Sequence, residues 1–199
     1  VSSAGKQESS PNGPYERIVD TAVRLMYSQG YAGTSINQVI DESSSHKASF
    51  YRYFQTKEEL GFEYLKQQGD DFRNSWIRLM NSSETPQEFV RRWMALLRKQ
   101  TKSGKFFGCP LARFMSSLDQ PDVELANRSA SVLESWLECL SDYFASCKQK
   151  GLVPDYFNPR KKAELFMKLF QGNSQLYMIT HNRKYFEEME TEMLGELER

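Results

Sequence analysis

An excess of charge of either sign is missing from these 199 residues: 26 Lys and Arg balance 26 Asp and Glu. Bulk electrostatics therefore favours no partner, and any affinity for a polyanion has to come from a local patch. Cysteine is scarce and odd in number, three residues, which argues against a secreted disulfide framework and for a reducing cytoplasm. Cys139 and Cys147 fall about two turns apart on one expected helix, too far for a bridge. No apolar run approaches the roughly 18 residues that span a bilayer, and no signal peptide is visible. A soluble, cytoplasmic chain with no membrane partner is expected. The two histidines, His46 and His181, sit in separate regions. A metal-ligand cluster, a phosphate-cradling loop and a nucleophile elbow are all lacking, so the expectation is no catalysis, no metal and no cofactor.

Strand-like alternation is also missing, and helical periodicity fills its place. The first dozen residues, VSSAGKQESSPN, are small and polar, and residues 1–13 read as a flexible arm. Pro14 opens a first helix with the stripe Ile18, Ala22, Leu25, which Gly30 stops. Thr34 can cap a short second helix carrying Ile36, Val39 and Ile40. The turn Ser43-Ser44-Ser45 leads to a third helix ending near Phe54. Thr56-Lys57-Glu58-Glu59 forms a capping box for a long fourth helix with Leu60, Leu65, Phe72, Trp76 and Leu79. Further helices start at Pro86, Pro110, after Asp119-Gln120-Pro121, at Pro159 and near Lys184. The seventh carries one stripe from Ala130 through Leu133, Leu137, Leu140 and Phe144 to Cys147, and a second through Val132, Trp136, Cys139 and Tyr143. An all-α fold of about nine helices follows, with a small domain over 14–60 and a larger helical bundle over 61–199.

The segment SSSHKASFYRYFQTKEEL, residues 43–60, concentrates rings and positive charge. From His46 to Lys57 there are three Lys or Arg and no Asp or Glu. Three short helices with a tight turn before the third fit a helix-turn-helix, whose last helix enters the major groove of DNA. Its first residues, His46, Lys47, Ala48 and Ser49, are then the ones that reach base edges. Ala48 is small enough for close approach. Phe50 and Phe54, four apart, face the small domain's core, while Tyr51, Arg52 and Tyr53 point toward DNA or its flanks.

Residues 15–60 resemble the DNA-binding domain of the TetR family of bacterial repressors. The resemblance runs through Ile18-Ala22-Leu25, Gly30-Tyr31 and Thr34-Ser35-Ile36, then Lys47 through Phe54, and closes with Thr56-Lys57-Glu58-Glu59-Leu60. It implies that Tyr51 and Lys57 contact phosphates, that Thr34 and Ser35 anchor helix ends to the backbone, and that Lys47 to Ser49 read bases. Ser43 to His46 depart from the family's turn. Ser44 stands where the family has glycine and needs a left-handed backbone if the turn is kept. His46 is a poorer N-cap than serine, although Ser45 can cap one residue earlier.

The resemblance also implies that 61–199 form an effector and dimerisation domain, and that double-stranded DNA with a palindromic operator, a small-molecule effector and a second copy of the chain are the partners. The last two helices suit the subunit interface, with Gly172-Asn173-Ser174 admitting a partner helix. Trp76, Trp93, Phe106, Phe107, Phe114, Met115, Trp136, Tyr143 and Phe170 are candidates to line a pocket between helices four and eight; such stripes also serve as plain core. Few ionisable groups fall on them, which suits an apolar or aromatic effector with one or two polar handles.

In Gly108-Cys109-Pro110, Cys109 is the expected N-cap of the sixth helix, with the helix dipole and Lys105 to stabilise a thiolate. Some TetR-like repressors sense electrophiles or oxidants through such a cysteine. The plainer reading, a small cysteine that only packs, is preferred, because a low thiol pKa also requires exposure. Two functional readings result. One is a homodimeric repressor released from its operator by an effector. The other is a small-molecule-binding helical protein of the same fold that has lost operator recognition, for which the irregular serine turn is the motive.

Overall fold

Capping chemistry places the helices. The computed structural model describes residues 13–118 and 122–199; the expected arm up to Asn12 and the break at Asp119-Gln120-Pro121 lie outside the described residues. Among the described residues there are nine α-helices and no strand. The first, α1 (Pro14–Gln29), ends at Gly30, whose φ of +89° only glycine adopts easily. Helix α2 (Ile36–Glu42) is capped by Ser35, whose hydroxyl accepts the Gln38 N–H at 3.1 Å. This corrects the expected cap at Thr34. That side chain is buried, and its hydroxyl donates to the Gly30 carbonyl at 2.8 Å.

Helix α3 (Lys47–Tyr53) follows the serine turn, and α4 (Lys57–Asn81) begins at its capping box. There Thr56 accepts the Glu59 N–H at 3.3 Å, while the Glu59 carboxylate takes the N–H of Gln55, one residue before the cap. The same device recurs at α5 (Pro86–Lys102), where Thr85 caps Glu88 and Glu88 accepts from Glu84. Two polar ends are thereby satisfied without burying any charge.

The remaining helices are α6 (Pro110–Met115), α7 (Val123–Gln149), α8 (Pro159–Thr180) and α9 (Lys184–Leu197). Helix α7 packs between α4 and α8, and α9 closes the bundle against α5 and α8. At Gly69 the α4 backbone comes so close to α7 that a Cβ would lie 2.8 Å from Val132. The Gly69 carbonyl there accepts the Trp136 indole N–H at 2.9 Å, so the largest buried ring of α7 leaves no polar atom unsatisfied. The expected α7 stripe needs one correction. Ala130 is exposed, and Leu125 and Ser129 take the inward positions. A stripe drawn with spacings of three and four drifts round a long helix unless its partners are known.

Helix α1 packs on α2, α3, α4 and α6. Ile18, Ala22 and Leu25 meet Val39, Ile40, Phe50 and Phe54 in the core, all at most 7% exposed. Helix α4 thus belongs to both halves of the chain. Leu60 and Tyr64 are buried near its start, and Trp76 and Met80 in the bundle near its end.

Candidate nucleic-acid interface and effector cavity

The α3 helix separates its two kinds of ring as its periodicity requires. Phe50 and Phe54 are buried, while Tyr51, Arg52 and Tyr53 are exposed. His46, Lys47 and Ala48 are exposed at the start of α3, and Ser49 is half-buried. Arg52 lies over the Tyr53 ring at 4.7 Å and donates to its hydroxyl at 2.7 Å. Tyr53 in turn meets Tyr15 edge to face, which ties this end of α3 to α1. Lys57 reaches back across Tyr31, 4.4 Å from the ring centre, toward the Ala32 carbonyl at 3.4 Å. Of the expected DNA contacts, His46, Lys47, Ala48, Tyr51, Arg52 and Ser35 are exposed, and Ser49 and Lys57 are half-buried. Thr34 is buried, so its hydroxyl holds the end of α1 rather than facing solvent.

The turn adopts the conformation expected of the glycine position despite having serine there. Ser44 has φ of +51°. Its N–H bonds to the Asp41 carbonyl, and the Ser45 N–H to that of Ile40, so the turn closes normally. His46 is the N-cap of α3 with no side-chain hydrogen bond, and Ser45 does not replace it, since its hydroxyl lies toward the Ser43 carbonyl at 3.5 Å. The start of α3 therefore has uncapped N–H groups beside exposed Lys47.

A set of hydrogen bonds joins this unit to α6 and the segment before it. The Tyr31 N–H donates to the Ser117 hydroxyl at 2.7 Å and the Ala32 N–H to the Ser117 carbonyl at 3.2 Å. Gly30 makes the approach possible: a Cβ there would lie 2.8 Å from that of Ser117. Arg113 donates to the Ser28 carbonyl at 3.0 Å. The Tyr27 hydroxyl donates to the Gly108 carbonyl at 2.8 Å and accepts the Phe107 N–H at 3.3 Å. Burial pushes the Tyr27 phenol up to about 12.

Gly108 and Tyr27 also belong to the wall of a cavity of about 250 Å³ among α1, α4, α5, α8 and the 106–110 segment. Of the expected lining residues, Trp76, Trp93, Phe106 and Phe170 are there. The others are used elsewhere. Phe107 packs edge to face on Tyr27, Phe114 stacks on Tyr64, and Trp136 stacks on Phe72. Tyr143 packs against Phe89 and lines a groove on the far side of α4. Met115 receives the Ser129 hydroxyl. The sequence reading missed Tyr27, Phe72, Gln68, Asp71 and Gln100. Tyr27 sits on a helix assigned to the other domain, and the polar three lie off any apolar stripe. The Trp76 indole N–H is buried without a partner.

Cys109 is the N-cap of α6, as its place before Pro110 requires, but it is 3% exposed. Burial raises its thiol to about 11, overriding the backbone N–H groups of Ala112 and Leu111 that favour the thiolate. Desolvation outweighs the helix end, which supports the preferred reading of a cysteine that packs.

On α8, Gly172 faces outward with open space where a Cβ would be, whereas Ser174 is 1% exposed. The expected contact through Ser174 is therefore corrected. The outer face of α8 carries Gly172, Leu176 and Ile179, the last two 43% and 68% exposed, with half-buried Leu165 and Leu169 beside them and exposed Lys161, Lys168 and Gln175 along its edge.

An exposed cationic third helix after a tight turn, hydrogen-bonded to a helical bundle that holds a cavity, is the arrangement seen in helix-turn-helix DNA-binding proteins. Residues 18–64 match the family described as "Bacterial regulatory proteins, tetR family". The chain is 31% identical over 125 residues to the HTH-type transcriptional regulator YxaF of Bacillus subtilis, covering 61% of this chain and 64%, less than two thirds, of that one. It is 21% identical over 170 residues to the HTH-type transcriptional repressor DhaR of Mycobacterium sp., covering 85% of this chain and 84% of that one. In fold it is similar to the regulatory protein TetR from Rhodobacter sphaeroides, with a TM-score of 0.82 at 15% identity over 92% of this chain and 98% of that one. The family match is thus carried by residues 18–64, and over the rest of the chain the likeness is one of fold.

Proposed function

We propose that the protein is a homodimeric repressor whose operator affinity falls when a small molecule fills the cavity. In this reading 14–60 bind DNA, and 61–199, joined at the cavity by Tyr27 of α1, bind effector and partner. The carrying observation is Tyr27, which lines the cavity and, from a helix of the DNA-binding unit, is hydrogen-bonded to the 107–108 segment of its wall. A ligand that displaces this segment acts on α1 directly, and through Ser117 and Arg113 on the turn after it. Each protomer then presents α3 at a different spacing. A ligand that prefers the wrongly spaced conformation shifts the population away from DNA by its differential affinity alone.

In this reading Lys47, Ala48 and Ser49 face base edges, with His46 beside them. Tyr51, Arg52, Lys57 and Ser35 hold phosphates, and Thr34 positions Ser35. The outer face of α8 supplies the dimer contact. Its apolar positions alternate at spacings of four and three, the pattern of a helix packed along a helix, and Gly172 admits close approach. A dimer supplies the two half-sites of a palindromic operator.

The left-handed Ser44 supports the second reading, a TetR-like binder that has lost operator recognition, because it puts strain beside the reading helix. Selection of random genomic DNA fragments by the purified protein separates the two. One enriched palindrome supports the repressor, and salt-sensitive binding without enrichment supports the second reading.

A further inference from the structure

The cavity wall is chemically one-sided. Six rings face it, those of Tyr27, Phe72, Trp76, Trp93, Phe106 and Phe170. Among the described residues that line it, Asp71 is the one charged side chain, and there is no Lys, Arg or His. Asp71 is exposed and also lines the adjoining groove between α1 and α4. That groove carries Glu16, Asp20, Glu63 and Asp70 against a single lysine, Lys66. Asp70 has Arg73 at 3.9 Å and Asp20 accepts from Gln67 at 3.5 Å, so part of this charge is partnered; the groove still collects carboxylates beside the cavity.

We propose that the cavity selects a small aromatic organic cation that also carries a hydrogen-bond acceptor. The inference rests on reading the cavity as the effector site and adds the charge of the effector. Ring faces carry negative quadrupole potential, so a desolvated cation among them is stabilised, while an anion meets Asp71 and no counter-charge. A neutral ring system gains only the burial that every ligand gains. Carboxylates in the adjoining groove raise the local concentration of cations. The acceptor answers the indole N–H of Trp76, a lining residue whose N–H is buried and has no partner. Size bounds the ligand. About 250 Å³ compares with the ~150 Å³ apolar cavity that holds benzene, which leaves room for one or two rings. Desolvation, then the charge of Asp70, raises the Asp71 carboxyl against the opposing charge of Arg78, and a cation placed beside it favours its charged form.

Three probes of equal shape test the charge: 3-hydroxyphenyltrimethylammonium, its neutral isostere 3-tert-butylphenol, and the anion 3-hydroxybenzenesulfonate. Titration of the full chain is followed by tryptophan fluorescence, with Trp76 and Trp93 in the wall. The cation is expected to bind at least about tenfold more tightly than the phenol, and the sulfonate least. Asp71→Asn, at an exposed position that leaves the core intact, is expected to shrink that preference, leaving the part that the rings supply. Equal or tighter binding of the phenol or the sulfonate overturns the proposal. So does absence of saturable cation binding, or a preference that Asp71→Asn leaves undiminished. Release of the selected operator fragment separates this from the regulatory reading. If the phenol binds as tightly and releases DNA, the cation preference falls and the regulatory reading stands. If the cation binds with the expected preference and DNA stays bound, the ligand class stands and the ligand response falls.

Discussion

The Tyr27 hydroxyl on α1 donates to the Gly108 carbonyl before α6 at 2.8 Å, across 81 residues of chain. One side chain thereby lines the cavity and holds the first helix of the DNA-binding unit to its wall. Tyr27→Phe keeps the ring and removes both hydrogen bonds, leaving the Gly108 carbonyl and the Phe107 N–H without this partner. The expected cost is on the order of 1 to 2 kcal/mol in chemical denaturation. Operator affinity without effector should change little, while the ratio of affinities with and without effector should shrink. A variant with an unchanged ratio would show that coupling runs by another route.

The left-handed Ser44 should be a point of stored strain. Ser44→Gly is expected to raise stability by about 1 kcal/mol, the steric cost of φ > 0 outweighing the extra chain entropy of glycine. Thermal unfolding reads this directly. Operator affinity should stay equal or tighten, because the turn already has the conformation that glycine prefers. A loss of stability would mean that Ser44 makes compensating contacts.

Lys47 and Lys57 should fail differently. Lys57→Ala is expected to weaken binding to all sequences alike and to lower the salt slope by about one ion. Lys47→Ala should instead alter the base preference recovered by fragment selection. Finding the two phenotypes exchanged would reverse the assignment of base and phosphate contacts.

Assembly should depend on the outer face of α8. Leu176→Arg or Ile179→Arg places a cation in an apolar helix contact and is expected to give monomers by sedimentation, with helicity by circular dichroism retained. Ser174→Arg should unfold the bundle instead, since Ser174 is buried within its own chain. A sedimenting dimer for both α8 surface variants would move the interface elsewhere.

Stability should fall in alkali. Cys109 is raised from its ordinary 9.0 to about 11, and Tyr27 from 10.0 to about 12, each chiefly by burial. Between the unfolded and folded values the folded chain holds more protons than the unfolded one, so stability is intact below about pH 9 and declines as pH rises toward 12. Cys109→Ala should make the decline that begins near pH 9 shallower without abolishing it, because burial also raises the thiols of Cys139 and Cys147. Labelling at neutral pH should find Cys109 slower than the half-buried Cys139. Rapid alkylation of Cys109 would restore the electrophile sensor.

The three-helix unit was legible because its signals are local. Pro14, Gly30, the Thr56 box and Pro159 each act on the backbone within one turn, and each lies at the helix end it announced. Ile18, Ala22, Phe50 and Phe54 are buried as their spacing demands. Legibility weakened where a residue's partner lies far along the chain. Whether Thr34 or Ser35 caps α2 depends on the carbonyl of Gly30, and whether Ala130 or Ser129 faces inward depends on how α7 lies between α4 and α8.

Residue type and spacing alone determined the all-helical class, the order of the helices and the third helix with its exposed cations, because hydrophobic periodicity and capping are properties of neighbours in sequence. Tertiary structure decided which rings line the cavity, since Trp76 and Trp136, both aromatic and inward, differ only in what lies across from them. It also decided that Cys109 stays protonated and that Ser174 faces its own bundle. Desolvation and burial depend on the density of atoms brought in from distant segments, and no local pattern encodes that density.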